Sequence, residues 1–162
     1  MILRLAFCQP PSSLVGWLDG GPSHYLHYDW CKWSGSFSGI LGNWCQSITA
    51  WNLALDEHGK PNIGPFPCGG MVTVDSQSRA VTRSGQYWAF AHYSRVIRRG
   101  ARRFQSQTAA QGVVHVALEN PDGERVVVFT NPGAAANVDL RIANLTAPVS
   151  LPAKSVTTLL WK

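Results

Sequence analysis

Trp51 and Asn52 stand side by side just ahead of a polar cluster, Asp56, Glu57, His58, Gly59 and Pro61. A Trp offers a flat apolar face that stacks on the apolar face of a pyranose, and an Asn amide both donates to and accepts from sugar hydroxyls. Residues 44–55 run apolar and predict a buried strand, while the cluster that follows predicts a loop. A strand that delivers Trp51 and Asn52 to the mouth of a loop is suited to wall a sugar-binding cleft. It supplies no reaction by itself.

Other groups that could do chemistry are weaker candidates. Asp56 and Glu57 follow the strand and read first as loop surface. Glu119 and Glu124 flank a turn, Asn120-Pro121-Asp122-Gly123, and read as solvated. Asp19 and Asp29 lie in a stretch without pattern. His58 reads as loop surface and His92 as a packed helix residue. The four cysteines, Cys8, Cys31, Cys45 and Cys68, form no Cys-x-x-Cys pair and have no His at ligand spacing, which argues against a structural zinc site. Arg95, Arg98, Arg99, Arg102 and Arg103 crowd nine positions of a chain whose net charge is +5. With no nucleic-acid-binding signature around them, they read as a solvated helix end, and no nucleic-acid partner is expected.

The chain's 162 residues suit one domain or pieces of two, and 45% hydrophobic against 14% charged residues is a globular balance. Seven tryptophans exceed what a cleft would use, so most belong to the core. Residues 1–7 are too short, and interrupted by Arg4, for a secretory leader; no run reaches the length of a membrane span. The sequon Asn144-Leu145-Thr146 matters only in a glycosylating host.

Elements positioning these groups read unevenly. Pro10, Pro11, Gly16, Gly20, Gly21, Pro22, Gly35 and Gly39 break every apolar run in residues 1–42, so that segment is expected to be irregular. Residues 71–75 predict a short strand and 76–79 a turn. A helix is expected over 84–97, with Ser84 as N-cap, Tyr87, Phe90, Ala91, Ser94 and Ile97 at helical spacing, and Gly100 as stop. From 101 onward short strands alternate with hairpin punctuation: 113–119, 125–130, 137–143 and 155–161, with turns at 120–123 and 131–133. That spacing argues for an antiparallel sandwich. The fold class expected is α/β plus all-β.

Three blocks carry a resemblance: NWCQSITAWNLALDEHGKPN, then CGGMVTVD, then VTRSGQYWAFAHYSRVIRRGARR. Together they resemble the C-terminal end of glycoside hydrolase family 30, on the glucosylceramidase branch. ALENPDGERVVVFTNPG and LPAKSVTTLLW resemble the same family's β-sandwich. The match covers about residues 40–162. It implies a (β/α)8 barrel joined to an antiparallel β-sandwich. Residues 43–100 would then be the C-terminal part of the barrel, with 44–55 its last strand and 84–97 its last helix, and residues 101–162 would be the sandwich. Barrel active sites lie at the C-terminal ends of strands, which places Trp51 and Asn52 at the substrate pocket. The implied partner is a carbohydrate or glycolipid substrate, and no metal or organic cofactor is implied.

Retaining glycosidases need two carboxyl groups about 5–5.5 Å apart, one to protonate the leaving oxygen and one to attack the anomeric carbon. In the family the acid/base lies on a strand upstream, and the nucleophile sits in a Thr-Glu pair ahead of the Trp-Asn-Leu block. The corresponding window here reads Phe7, Cys8, Gln9, Pro10, Pro11 and Ser12 onward to Gly16, with no Glu. No catalytic residue is assigned. The expectation is a C-terminal piece of such an enzyme, inactive as given. Its first 42 residues are either read in a wrong frame, which their patternless composition favours, or those of a degenerate paralogue. The alternative is a non-catalytic carbohydrate-binding or structural β-sandwich module. A single barrel strand with open edges is also expected to make the isolated chain poorly soluble.

Overall fold

The computed structural model describes residues 29–50, 52–62 and 68–162 of the chain. Its elements run in the order helix α1 (Asp29–Gly42), strands β1 (Ala54–Leu55), β2 (Val72–Val74) and β3 (Val81–Arg83), helix α2 (Gly85–Ser94), then β4 (Arg102–Arg103), β5 (Val114–Glu119), β6 (Arg125–Asn131), β7 (Ala136–Ile142), β8 (Leu145–Leu151) and β9 (Ser155–Trp161).

The centre is a four-stranded sheet in the order β4-β5-β6-β9, antiparallel throughout. Because successive side chains of a strand point to opposite faces, β5 and β6 send two sets of apolar residues in opposite directions. Val116, Leu118, Val126, Val128 and Val156 join one cluster with Cys31, Phe37 and Leu41 of α1 and Ala89 and Tyr93 of α2. Ala117, Val127 and Phe129 join the other, under the two-stranded sheet of β7 and β8, whose Val138, Leu140, Val149 and Leu151 pack onto it. The result is three layers: a helix pair, the sheet, and the β7–β8 hairpin. Val126–Asn131 are all buried, as a central strand covered on both faces requires.

The sandwich expected beyond residue 101 is present, with β9 at the expected bounds and β5, β6 and β7 each within a residue of theirs. Beyond residue 101, β4 and β8 were not expected. Residues 145–151 contain Pro148, which demotes a strand, yet β8 pairs only with β7, and such an edge strand tolerates the missing N–H.

A larger correction concerns residues 29–42, expected to be irregular. They form α1, and Cys31, Ser34, Phe37, Ser38 and Leu41 are buried along one stripe at helical spacing. Two of those five are serines, which hide the apolar period. Gly35, Gly39 and Gly42 face open space, where a side chain would meet nothing. They weaken the helix intrinsically by about 1 kcal/mol each relative to Ala, so packing against α2 and the sheet holds it.

Helix α2 follows expectation. Ser84 is its N-cap, accepting from the Tyr87 N–H at 3.2 Å, and Arg95 closes it. Gly100 lies beyond, at φ +88°, in the turn leading to β4. The expected barrel is not seen as such among the described residues. What residues 43–100 form is a small sheet, β1 parallel to β2 and β2 antiparallel to β3, together with α2. No described helix is long and apolar enough to cross a membrane.

Candidate functional site

The strand expected over 44–55 shrinks to Ala54–Leu55. Residues 45–50 carry no regular element, though Ser47 and Ile48 are buried and tie the segment to the core. Trp44 and Asn52, at φ 67° and 58°, bend the backbone at either end, which an uninterrupted strand could not do. Trp51 lies outside the described residues.

Asn52 sits immediately before β1. Its carbonyl accepts from the Met71 N–H at 3.1 Å, which fastens it to the neighbouring strand. Its side chain is half-buried, and the Nδ2 has no hydrogen-bond partner among the described residues. Buried donors are paired in the great majority of cases, and this amide, whose nitrogen is itself closed to solvent, is an exception among the described residues. The close packing here is enforced at Gly70, where a Cβ would stand 2.7 Å from the Val72 carbonyl oxygen and 3.1 Å from the Leu55 nitrogen.

The loop carboxylates are occupied with holding loops. Asp56 Oδ1 accepts from the backbone N–H groups of His58 (2.9 Å) and Lys60 (2.7 Å). Glu57 accepts from the Ser76 N–H at 2.9 Å and from its hydroxyl, and pairs with His58 at 3.4 Å. Asp75 takes N–H groups of Gln77 and Ser78 and the Ser78 hydroxyl. Glu57 and Asp75 are near enough to feel one another's charge, but donors dominate: the Ser76 hydroxyl holds Glu57 below the usual carboxylate range, and Ser78 does the same for Asp75. A general acid needs the opposite displacement. Asp19 lies outside the described residues, as does the Asp29 side chain.

The remaining candidates are structural. Glu119 pairs with Arg125 at 3.0 Å, and Glu124 accepts from the Asn120 Nδ2 at 3.3 Å, both within the β5–β6 hairpin. His92 Nδ1 lies 2.8 Å from the Thr158 hydroxyl with its ring edge-on to Trp30, and burial, then Arg95, pushes its pKa down. The arginine run begins at the helix end, where Arg95 is the C-cap, and continues along the connection to β4, which Arg102 and Arg103 form, with Arg103 over the Trp44 ring at 3.9 Å. Cys31, Cys45 and Cys68 are in no disulfide, and no metal-binding cluster occurs among the described residues.

One arrangement near the site was not legible beforehand. The Met71 carbonyl accepts from the Ser84 N–H at 3.0 Å and from its hydroxyl at 2.8 Å. Asn52, Met71 and Ser84 therefore lie in one row across adjacent chain segments. Residue types gave no sign of it, because a row across a sheet depends on register.

Comparison with known proteins places these features. Residues 100–159 match the glycosyl hydrolase family 30 beta sandwich domain. The chain is 34% identical over 112 residues to an endo-1,6-β-D-glucanase of Neurospora crassa, covering 62% of this chain and 23% of that protein. It is 31% identical over 119 residues to the lysosomal acid glucosylceramidase of Mus musculus (70% and 23%). A putative glucosylceramidase of Caenorhabditis elegans is 26% identical and aligns with 87% of this chain, a share too large to leave out the whole of residues 1–42. Among solved structures, SrfJ from Salmonella typhimurium superposes with a TM-score of 0.78 at 27% identity, over 82% of this chain and 30% of that one. The endo-β1,6-glucanase BT3312 superposes at 0.73 and 28% identity, over 81% and 30%. The chain thus spans between a fifth and a third of the length of these relatives.

Proposed function

The chain carries a family 30 glycoside hydrolase β-sandwich domain, and on that premise we propose that it serves as the C-terminal part of a retaining β-glycosidase acting on β-glucosyl bonds. The observation that carries this reading is the agreement of fold over four fifths of the chain with SrfJ and the glucanase BT3312. In this reading residues 43–100 are the end of a (β/α)8 barrel and 101–162 its sandwich. The pocket wall is Trp51, stacking on a sugar ring, and Asn52, whose side-chain amide bonds its hydroxyls. The relatives' names divide between glucan and glucosylceramide, so the bond cleaved belongs to a glycolipid or a glucoside chain.

Catalysis requires a proton donor and a nucleophile on either side of the bond. Glu57 and Asp75, their pKa lowered, are poor proton donors, and Asp56, Glu57 and Asp75 are all engaged in turn hydrogen bonds, which leaves no pair to do both jobs. The purified 162-residue chain is therefore expected to leave an aryl β-glucoside intact. The pocket assignment is tested in a chimera, with residues 43–162 replacing the matched segment of BT3312. The chimera should hydrolyse β-1,6-glucan and aryl β-glucoside, and Trp51→Ala should lower kcat/KM roughly tenfold or more. A folded chimera that is inactive, or one indifferent to Trp51→Ala, would overturn the reading.

A further inference from the structure

We propose that Arg83, Tyr87 and Trp88 form a second carbohydrate-contacting platform, for a glucan chain that runs out of the pocket walled by Asn52. This deepens the glycosidase reading and rests on it. The Tyr87 and Trp88 rings meet edge-on, with centres 5.2 Å apart. The Arg83 guanidinium lies over both, 5.3 Å from one ring centre and 5.8 Å from the other. Attraction between cation and ring faces holds that side chain in place. No acceptor on a described residue takes up its N–H groups.

The group is open to solvent. Trp88 is 46% exposed and Val81 59%, and β3, which carries Val81 and Arg83, is exposed along its length at the edge of its sheet. A large aromatic held beside fixed donors has the chemistry that recognises a neutral pyranose: an apolar face for the ring and N–H groups for its hydroxyls.

Its position decides which sugar-bearing ligand fits. The row Asn52–Met71–Ser84 crosses two chain spacings, about 10 Å, and Arg83 adjoins its far end. A single ring held at Asn52 does not reach across that gap, whereas a chain of several residues does. The platform thus assigns the substrate class as a linear glucan rather than a glycolipid, whose aglycone has no use for aligned sugar donors.

The 162-residue chain should be retarded in native gels containing soluble β-1,6-glucan and unaffected by free glucose. Trp88→Ala should weaken glucan retention roughly tenfold, and Arg83→Gln less. Leu145→Ala, exposed on the β7–β8 hairpin, serves as the neutral control. Absence of retention, retention unchanged by Trp88→Ala, or retention only by a polyanion such as heparin would overturn the platform. In the BT3312 chimera, Trp88→Ala should raise KM for the glucan and leave aryl β-glucoside hydrolysis unchanged. Aryl hydrolysis with an unmoved glucan KM sinks the platform alone, and an inactive chimera sinks the glycosidase reading itself.

Discussion

Two regions of this molecule are built on opposite terms. The helix pair and the four-stranded sheet share a dense core, sealed by a buried hydroxyl network. Tyr93 Oη lies 2.8 Å from both Ser34 Oγ and Ser38 Oγ and donates to the Ser34 carbonyl at 2.7 Å, and Ser34 Oγ meets Thr130 Oγ1 at 2.6 Å. The β1–β3 region, which holds the candidate site, has two- and three-residue strands, an exposed edge, and a Leu53 that is 75% exposed. Stability is concentrated where side chains interlock on both faces of a sheet. The candidate site lies in the thin region, where Asp56, Glu57 and Asp75 are tied into turns and Asn52 Nδ2 has no hydrogen-bond partner among the described residues.

That contrast can be broken first at Phe37, which lies 3% exposed with its ring edge-on to both Phe90 and Tyr93. Phe37→Ala should cost about 3–5 kcal/mol, read as a lowered urea midpoint, and should detach α1 from the sheet. A loss below about 1 kcal/mol would show that α1 is not part of the core.

Tyr93→Phe keeps the ring and removes the hydroxyl that joins α1 to α2. Leaving buried Ser34 and Ser38 short of a partner should cost about 1–3 kcal/mol. Denaturation at matched conditions measures it, and a neutral outcome would mean that the network adds nothing beyond the ring.

The next test is pH. Burial, then Arg95, lowers the His92 pKa in the folded state, and burial lowers that of His115. The unfolded chain then binds more protons than the folded one below about pH 6.5. Stability from these groups is present above that value and is lost as pH falls through it. His92→Gln should flatten part of the decline in urea midpoint between pH 7 and pH 5, and an unchanged slope would remove His92 from the account.

The smallest effect belongs to the thin region. Leu53→Ser and Val81→Lys, both at exposed positions, should change stability by less than about 0.5 kcal/mol. Val81→Lys should also reduce aggregation, because a charge on an edge strand disfavours pairing with another chain. A large loss at either position would erase the distinction between the regions.

Much of the sandwich was legible from residue order because its signals are local. Alternation in β7, the Asn120–Gly123 turn and the Ser84 cap each depend on a few neighbours. Helix α1 was hidden because Ser34 and Ser38 occupy core positions, and their polarity is satisfied only by Tyr93 and Thr130, 55 to 96 residues away. Strand 44–55 was overread for the reverse reason: its apolar residues anchor an irregular segment, with left-handed Trp44 and Asn52 interrupting any ladder. The resemblance to family 30 was readable from blocks of residues, and the matched sandwich bears it out.

By itself, then, the sequence determined which local elements could form, the composition of the two faces of β5 and β6, and the family that the chain resembles. Tertiary structure alone decided that α1 exists and what it packs on, that Asp56, Glu57 and Asp75 are tied into turns, and that Arg83 lies over Tyr87 and Trp88, one residue from the row that begins at Asn52. Those outcomes rest on register and long-range pairing, and both are set by which surfaces bury one another rather than by any residue's neighbours in the chain.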